Sequence, residues 1–228
     1  MNTAKGTDVQ GNKIDLNETS NTTSKTKTSS SEAVTAIKNA LKDKKWLKEN
    51  AMMKESCFVD TPIKHEQTLT FMVLKNKNGN NPMIAVKASS EEDLSAEVFV
   101  VWYENGKVLS SSIRGTAFHI NHGDIEIDPN NLIAKDSYIH MGYFGDEYYD
   151  ISKGKSVSLN YIGYEVTSGG DESEDEVSNY YIAKGNTDTG AKVGTKSEYD
   201  KINSKYSSYK FSSIDTQLNN TNIDKYIK

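Results

Sequence analysis

The stretch AEVFVVWYENGKVLSSSI, residues 96–113, decides the class of fold. Two runs with strand-forming character flank Asn105-Gly106. Both central positions of a two-residue hairpin turn require positive φ, which Asn and Gly accept at little steric cost. The stretch therefore reads as two antiparallel strands joined by a tight turn. Working outward, TLTFMVL (68–74) places Leu69, Phe71 and Val73 on one face, and MIAV (83–86) resumes the pattern after a loop. On the C-terminal side come GTAFHIN, DIEID, SYIHMGYF, EYYDIS, SVSLNYIGYEV and VSNYYIA. The turn signals HGD, DPNN, FGD, SKGK and SGGDESEDE separate them. Short strands, tight turns and no intervening helices predict an antiparallel meander.

Helical patterns lie at the two ends. SSSEAVTAIKNALKDKK has Ser30 or Ser31 as cap, Glu32 at the positive end of the dipole, and a stripe of Val34, Ile37 and Leu41. Trp46 and Leu47 open a second short turn or helix. In GTKSEYDKINSKYSSY, Thr195 and Glu198 form a capping box, and Tyr199, Ile202, Tyr206 and Tyr209 share one face. KFSSIDTQL predicts a last extended segment, and TNIDKYIK a terminal helix capped by Thr221. The expected fold is α+β: a curved antiparallel meander of about eight to ten strands with helices at both chain ends. A propeller-like or barrel-like closure of the same hairpins is the alternative.

Residues 1–30 are mostly Ser, Thr, Asn, Lys and Gly with only scattered apolar residues, too little apolar surface to offset chain entropy. They read as a disordered polar tether ahead of a single domain, residues 31–228. No run approaches transmembrane length, and no apolar signal region follows Met1. A chain that opens on such a tether looks like a lipoprotein cut after its signal peptide. The expected location is extracytoplasmic, lipid-anchored or secreted, with membrane attachment only through a lipid absent from this chain.

A net charge of −5 and a single arginine, Arg114, argue against nucleic acid and against bidentate phosphate recognition. The lone cysteine, Cys57, has no partner for an internal disulfide and, in MMKESCFVD without an adjacent activating motif, reads as a small buried hydrophobe.

Residues 73–86, VLKNKNGNNPMIAV, have the outline of a calcium loop without its charges. Aligning Gly79 with the loop glycine puts Asn78, Asn76 and Leu74 at ligand positions, and Ala85 where a bidentate Glu belongs. Amide oxygens alone do not supply the charge, so a hairpin turn accounts for the stretch. Strand, Asn/Gly loop, proline and apolar strand resemble the calcium-loop hairpins of integrin-like propeller repeats. ALKDKKWLKENAMM, VFVVWYENGKV, YIHMGYFGDEYYDISKGK and SEYDKI…TNIDKYIK extend the likeness over roughly residues 33–228. In that order the pieces resemble a group of secreted lipoproteins of unknown function from clostridia, low-GC Gram-positive bacteria. The resemblance implies an extracytoplasmic domain and no known activity.

Four residues, His119, His122, Asp124 and His140, are the metal candidates. Their spacing lacks the tight pattern of zinc sites, and turn-satisfied surface histidines account for them as well. The run DESEDE, 171–176, has the charge to hold calcium weakly but reads first as a solvated loop. No catalytic residue or cofactor motif emerges: G-x-S-x-G, S-x-x-K, H-E-x-x-H and P-loop patterns are missing from the sequence. Tyrosines crowd the strand region. Alternation sends one ring of each Tyr-Tyr pair to each face of the sheet. Trp102, Tyr143, Tyr148 and Tyr149 are the expected outward binding surface for another surface protein or a cell-wall glycan. The rival expectation is a metal-assisted hydrolase built on the His/Asp cluster.

Overall fold

The computed structural model of the protein describes residues 5–7, 13–15, 30–55, 62–75, 81–92, 95–113, 125–140, 142–167, 176–185 and 191–228. Lys5–Thr7 (β1) and Lys13–Asp15 (β2) form a two-stranded antiparallel ladder. The rest of residues 1–29, on which the tether expectation falls, lies outside the described residues, as do Cys57, loop residues 76–80 and residues 171–175.

The first sheet is assembled from Thr68–Leu74 (β3), Met83–Ser90 (β4), Ser95–Glu104 (β5) and Lys107–Ser112 (β6). They pair in sequence order, all antiparallel. Asn105 (φ 51°) and Gly106 (φ 78°) make the β5–β6 turn in the left-handed region, as their identities require. Leu74 pairs with Met83 across the Asn/Gly loop, so that stretch is flanked by a paired hairpin.

The second sheet runs through Ile125–Asp128 (β7), Ile133–His140 (β8), Tyr143–Asp150 (β9), Val157–Thr167 (β10), Glu176–Lys184 (β11) and Lys192–Gly194 (β12). It too is a meander in sequence order. The expected FGD turn is corrected here. Phe144, Gly145 and Asp146 lie inside β9, and the chain reverses just before them, where Gly142 takes a φ of 86°. The strand expected at GTAFHIN falls outside the described residues.

The expected α+β meander is present, divided into two consecutive antiparallel sheets of five and six strands, with no closed barrel. The fifth strand of the first sheet is Thr216–Gln217 (β13), which returns from the C-terminal region to pair with β3. Four helices complete the described structure: Ser30–Lys42 (α1), Lys44–Asn50 (α2), Lys196–Tyr206 (α3) and Asn220–Tyr226 (α4).

Strand alternation sorts the buried residues into three layers of core. Phe71, Ile84, Val86, Phe99 and Val101 point from the first sheet towards Ile37 and Leu41 of α1, Leu47 of α2, and Ile223 of α4. The intervening residues Met83, Ala85, Val98 and Val100 point the other way, towards Ile125, Ile127, Ala134 and Tyr149 of the second sheet. The far face of the second sheet presents Ile133, Tyr148, Ile162 and Ile182 to Tyr206, Tyr199 and Ile202 of α3. The order is helices, sheet, sheet, helix. Strands buried on both faces carry continuous apolar runs, which is why MIAV and VFVV do not alternate with polar residues. Each fully buried Ile, Leu or Phe contributes about 1.5–3 kcal/mol from apolar burial.

Capping follows the sequence at α3, where Thr195 Oγ1 accepts from the Glu198 N–H and Glu198 reaches back to the Thr195 N–H. At α4 the cap moves two residues upstream of the expected Thr221. Asn219 Oδ1 accepts from the Asn222 N–H at 2.9 Å, which starts the helix earlier.

Candidate functional site

The four expected surface aromatics separate according to what covers each face. Along β9, side chains alternate without a register shift against β8, so Tyr143 and Tyr149 share one face and Tyr148 takes the other. Tyr149 lies under the first sheet and is buried in the intersheet core. Tyr148 is buried on the far face, its ring stacked on Tyr206 with centroids 3.7 Å apart and planes within 2°. Neither ring is part of an outward surface; both faces of the sheet are occupied at that point, which corrects the expectation for this pair. Trp102 is half-buried against the β9–β10 turn: a Cβ on Gly154 would come within 2.5 Å of its ring. Its indole N–H approaches Glu104 Oε2 at 3.4 Å. That makes Trp102 a packing residue with a wet edge rather than a free platform.

Tyr143 is the exception, at 39% exposure. Here the second sheet extends past its cover, and the register gathers a polar cluster across three strands. Tyr143 on β9 stands opposite Glu165 on β10, and Glu165 stands opposite Asn179 on β11. Tyr181, two residues along β11, shares the face of Asn179. The Tyr143 and Tyr181 rings lie 6.0 Å apart at a 46° tilt. A register shift between Glu165 and Val166 bends β10 at this point, and the Val166 N–H closes the bend on the Gly142 carbonyl at 2.9 Å. Bulges of this kind re-aim side chains.

Glu165 is the centre of the cluster. Its Oε2 accepts from Asn179 Nδ2 at 3.0 Å and from the Tyr181 hydroxyl at 3.0 Å, and the Tyr143 hydroxyl also donates to its carboxylate. The hydrogen bond from Asn179, then those from Tyr143 and Tyr181, hold its carboxyl below the usual glutamate range. The same bonds push the Tyr143 hydroxyl up and the Tyr181 hydroxyl to about 12. The arrangement is a fixed anion between two tilted aromatic rings, with an amide beside it. Val193 of β12, opposite Tyr181 and 66% exposed, extends the same face. Such a surface can hold a ligand that offers hydroxyl or amine donors and a flat apolar side. It contains no nucleophile poised on a base.

Three of the four metal candidates, His119, His122 and Asp124, are not among the described residues. His140 ends β8 with its Cα opposite Tyr143. Among the described residues no group of three or more His, Cys, Asp or Glu is arranged to hold a metal. Also among the described residues, no helix is long and apolar enough to cross a membrane.

Sequence reasoning singled out Tyr143 but not Glu165 or Asn179. Each sits on a separate strand, 14 residues or more from the next, so no local spacing marks them. The one available signal was an acidic residue among the aromatics of NYIGYEV. No protein-family model, curated protein or solved structure matches the chain.

Proposed function

We propose that this is a non-enzymatic, extracytoplasmic binding domain, tethered through its N-terminal segment, that holds a cell-wall glycan on the outward end of its second sheet. The observation that supports this reading is the cluster at Glu165: an ionised carboxylate held between Tyr143 and Tyr181 beside Asn179, on a face left uncovered. Sugar rings present C–H faces that stack on tyrosine and hydroxyls that donate to carboxylate and amide oxygens. Rings fixed by strand backbone and by hydrogen bonds lose little freedom on binding.

A pull-down on purified peptidoglycan tests the reading. Wild-type protein is expected to sediment with the wall. Tyr143→Ala is expected to weaken retention about tenfold, equivalent to ~1.4 kcal/mol, while Tyr148→Phe, altered only within the core, retains binding. Wild-type protein that stays in solution, or a Tyr143→Ala variant that binds undiminished, overturns the glycan assignment. In the first case a crosslinked surface protein at Tyr143 identifies the other class of partner. Stoichiometric zinc in the purified protein, lost in a His122→Ala variant, restores the hydrolase alternative.

A further inference from the structure

Glu97 opens into a recess of about 490 Å3 between the segment that follows α2 and the β5–β6 hairpin. It points to the helix-facing side of β5, on the same face as Phe99 and Val101. An apolar residue at this position would bury without penalty, whereas a carboxylate loses hydration. Burial raises the Glu97 carboxyl, and a hydrogen bond with Ser112 and the nearby Lys54 ammonium oppose that rise. A carboxylate and an ammonium therefore face the same cavity. Phe99 and Met52 supply its apolar lining, and Glu49 and Glu55 add negative charge. The wall is fixed on one side, because the Ser110 hydroxyl donates to the Asn50 carbonyl at the end of α2. A half-buried carboxylate with an exposed ammonium at the rim of the same recess of ligand size offers complementary charges to a bound molecule.

We propose that this recess binds a small zwitterion, a free amino acid or a dipeptide. Glu97 takes its ammonium group, Lys54 its carboxylate, and Phe99 with Met52 its apolar side chain. This site is independent of the Glu165 cluster and does not rest on the glycan reading.

Saturation-transfer NMR on the full chain, with L-leucine and L-alanyl-L-alanine as probes, tests the proposal. At least one zwitterion is expected to receive saturation, and N-acetyl-L-leucine and L-leucinamide, each missing one charge, to bind at least tenfold more weakly. Glu97→Gln keeps the shape and removes the charge, and is expected to abolish transfer. Lys54→Met, at an exposed position, gives the same result should Glu97→Gln fail to fold. Tyr143→Ala leaves the signal unchanged, which separates this site from the glycan surface. No transfer to either zwitterion, or leucinamide binding equal to leucine, or undiminished binding by both charge variants overturns the assignment.

Discussion

Ile127 and Ser212 exchange two backbone hydrogen bonds, Ile127 N–H to the Ser212 carbonyl at 3.0 Å and Ser212 N–H to the Ile127 carbonyl at 3.1 Å. Four residues later Thr216 pairs with Phe71. One short segment thus covers the β7 edge of the second sheet and the β3 edge of the first. Between the two pairings Ile214, 2% exposed, enters the intersheet core, and the Thr70 hydroxyl donates to its carbonyl. Unpaired edges invite association with other chains, and this segment covers two of them.

Ser212→Pro removes the N–H that Ile127 accepts from and leaves a buried carbonyl short of a partner. The expected loss is about 1–3 kcal/mol in urea unfolding. Ser212→Ala, which keeps the backbone intact, is expected to unfold like wild type.

Asp128 anchors the same segment. Only 1% exposed, its carboxylate accepts from the Asn130 and Asn131 N–H groups, from Asn131 Nδ2 and from the Lys210 N–H. Burial acts to raise its carboxyl, but these bonds outweigh it and hold the group below the usual aspartate range. The unfolded chain therefore takes up this proton first as pH falls, and the stabilisation is lost as pH drops from the ordinary aspartate value through the lower folded one. Asp128→Ala is expected to lose about 2–4 kcal/mol at neutral pH, and to show a shallower dependence on pH below about 4 than wild type. Denaturant titrations at several pH values measure both.

Trp102 provides a sensor of the β9–β10 turn. Gly154 has a φ of 78° and lies against the indole, so a methyl group there meets both backbone strain and the ring. Gly154→Ala is expected to cost about 1–3 kcal/mol and to shift tryptophan emission as the indole is displaced. An unchanged spectrum with unchanged stability contradicts this packing.

The tyrosines under α3 divide the alkaline titration. Burial, first among the causes, pushes the Tyr199 and Tyr206 hydroxyls to about 12 and the Tyr148 hydroxyl higher still. These groups stay protonated in the folded chain after the unfolded chain has ionised, so stability falls as pH rises from about 10. Phenolate absorbance is expected to rise in two stages, the later one coinciding with loss of far-ultraviolet ellipticity. Tyr206→Phe keeps the stack on Tyr148 and removes the 2.7 Å hydrogen bond to Asn160 Oδ1, at an expected cost of about 1 kcal/mol.

The architecture was legible where the signal is local. Asn105-Gly106 located the first hairpin, and Thr195 with Glu198 located α3, because turn and cap chemistry act within four residues. The division into two sheets was not. It depends on which faces are covered, and MIAV and VFVV hinted at double coverage only through their unbroken apolar runs. The same limit applied to the aromatics. Tyr148 and Tyr149 do occupy opposite faces as alternation requires, yet both are buried, because a helix covers one face and a sheet the other. At Tyr143 the cover ends, and no feature of the residues around it marks that boundary. Glu165 joined the site only through strand register.

Covering both edges with residues 212–217 has a consequence for the order of folding. Each meander forms from hairpins adjacent in sequence, but the β3 and β7 edges stay open until the segment after α3 is in place. The first helical layer waits longer still, since α1 packs on α4 and Ile227 is buried in the same cluster. Contacts between residues far apart in sequence close slowly and late. The folding domain therefore has a stage in which two nearly finished sheets stay competent to pair with neighbouring chains.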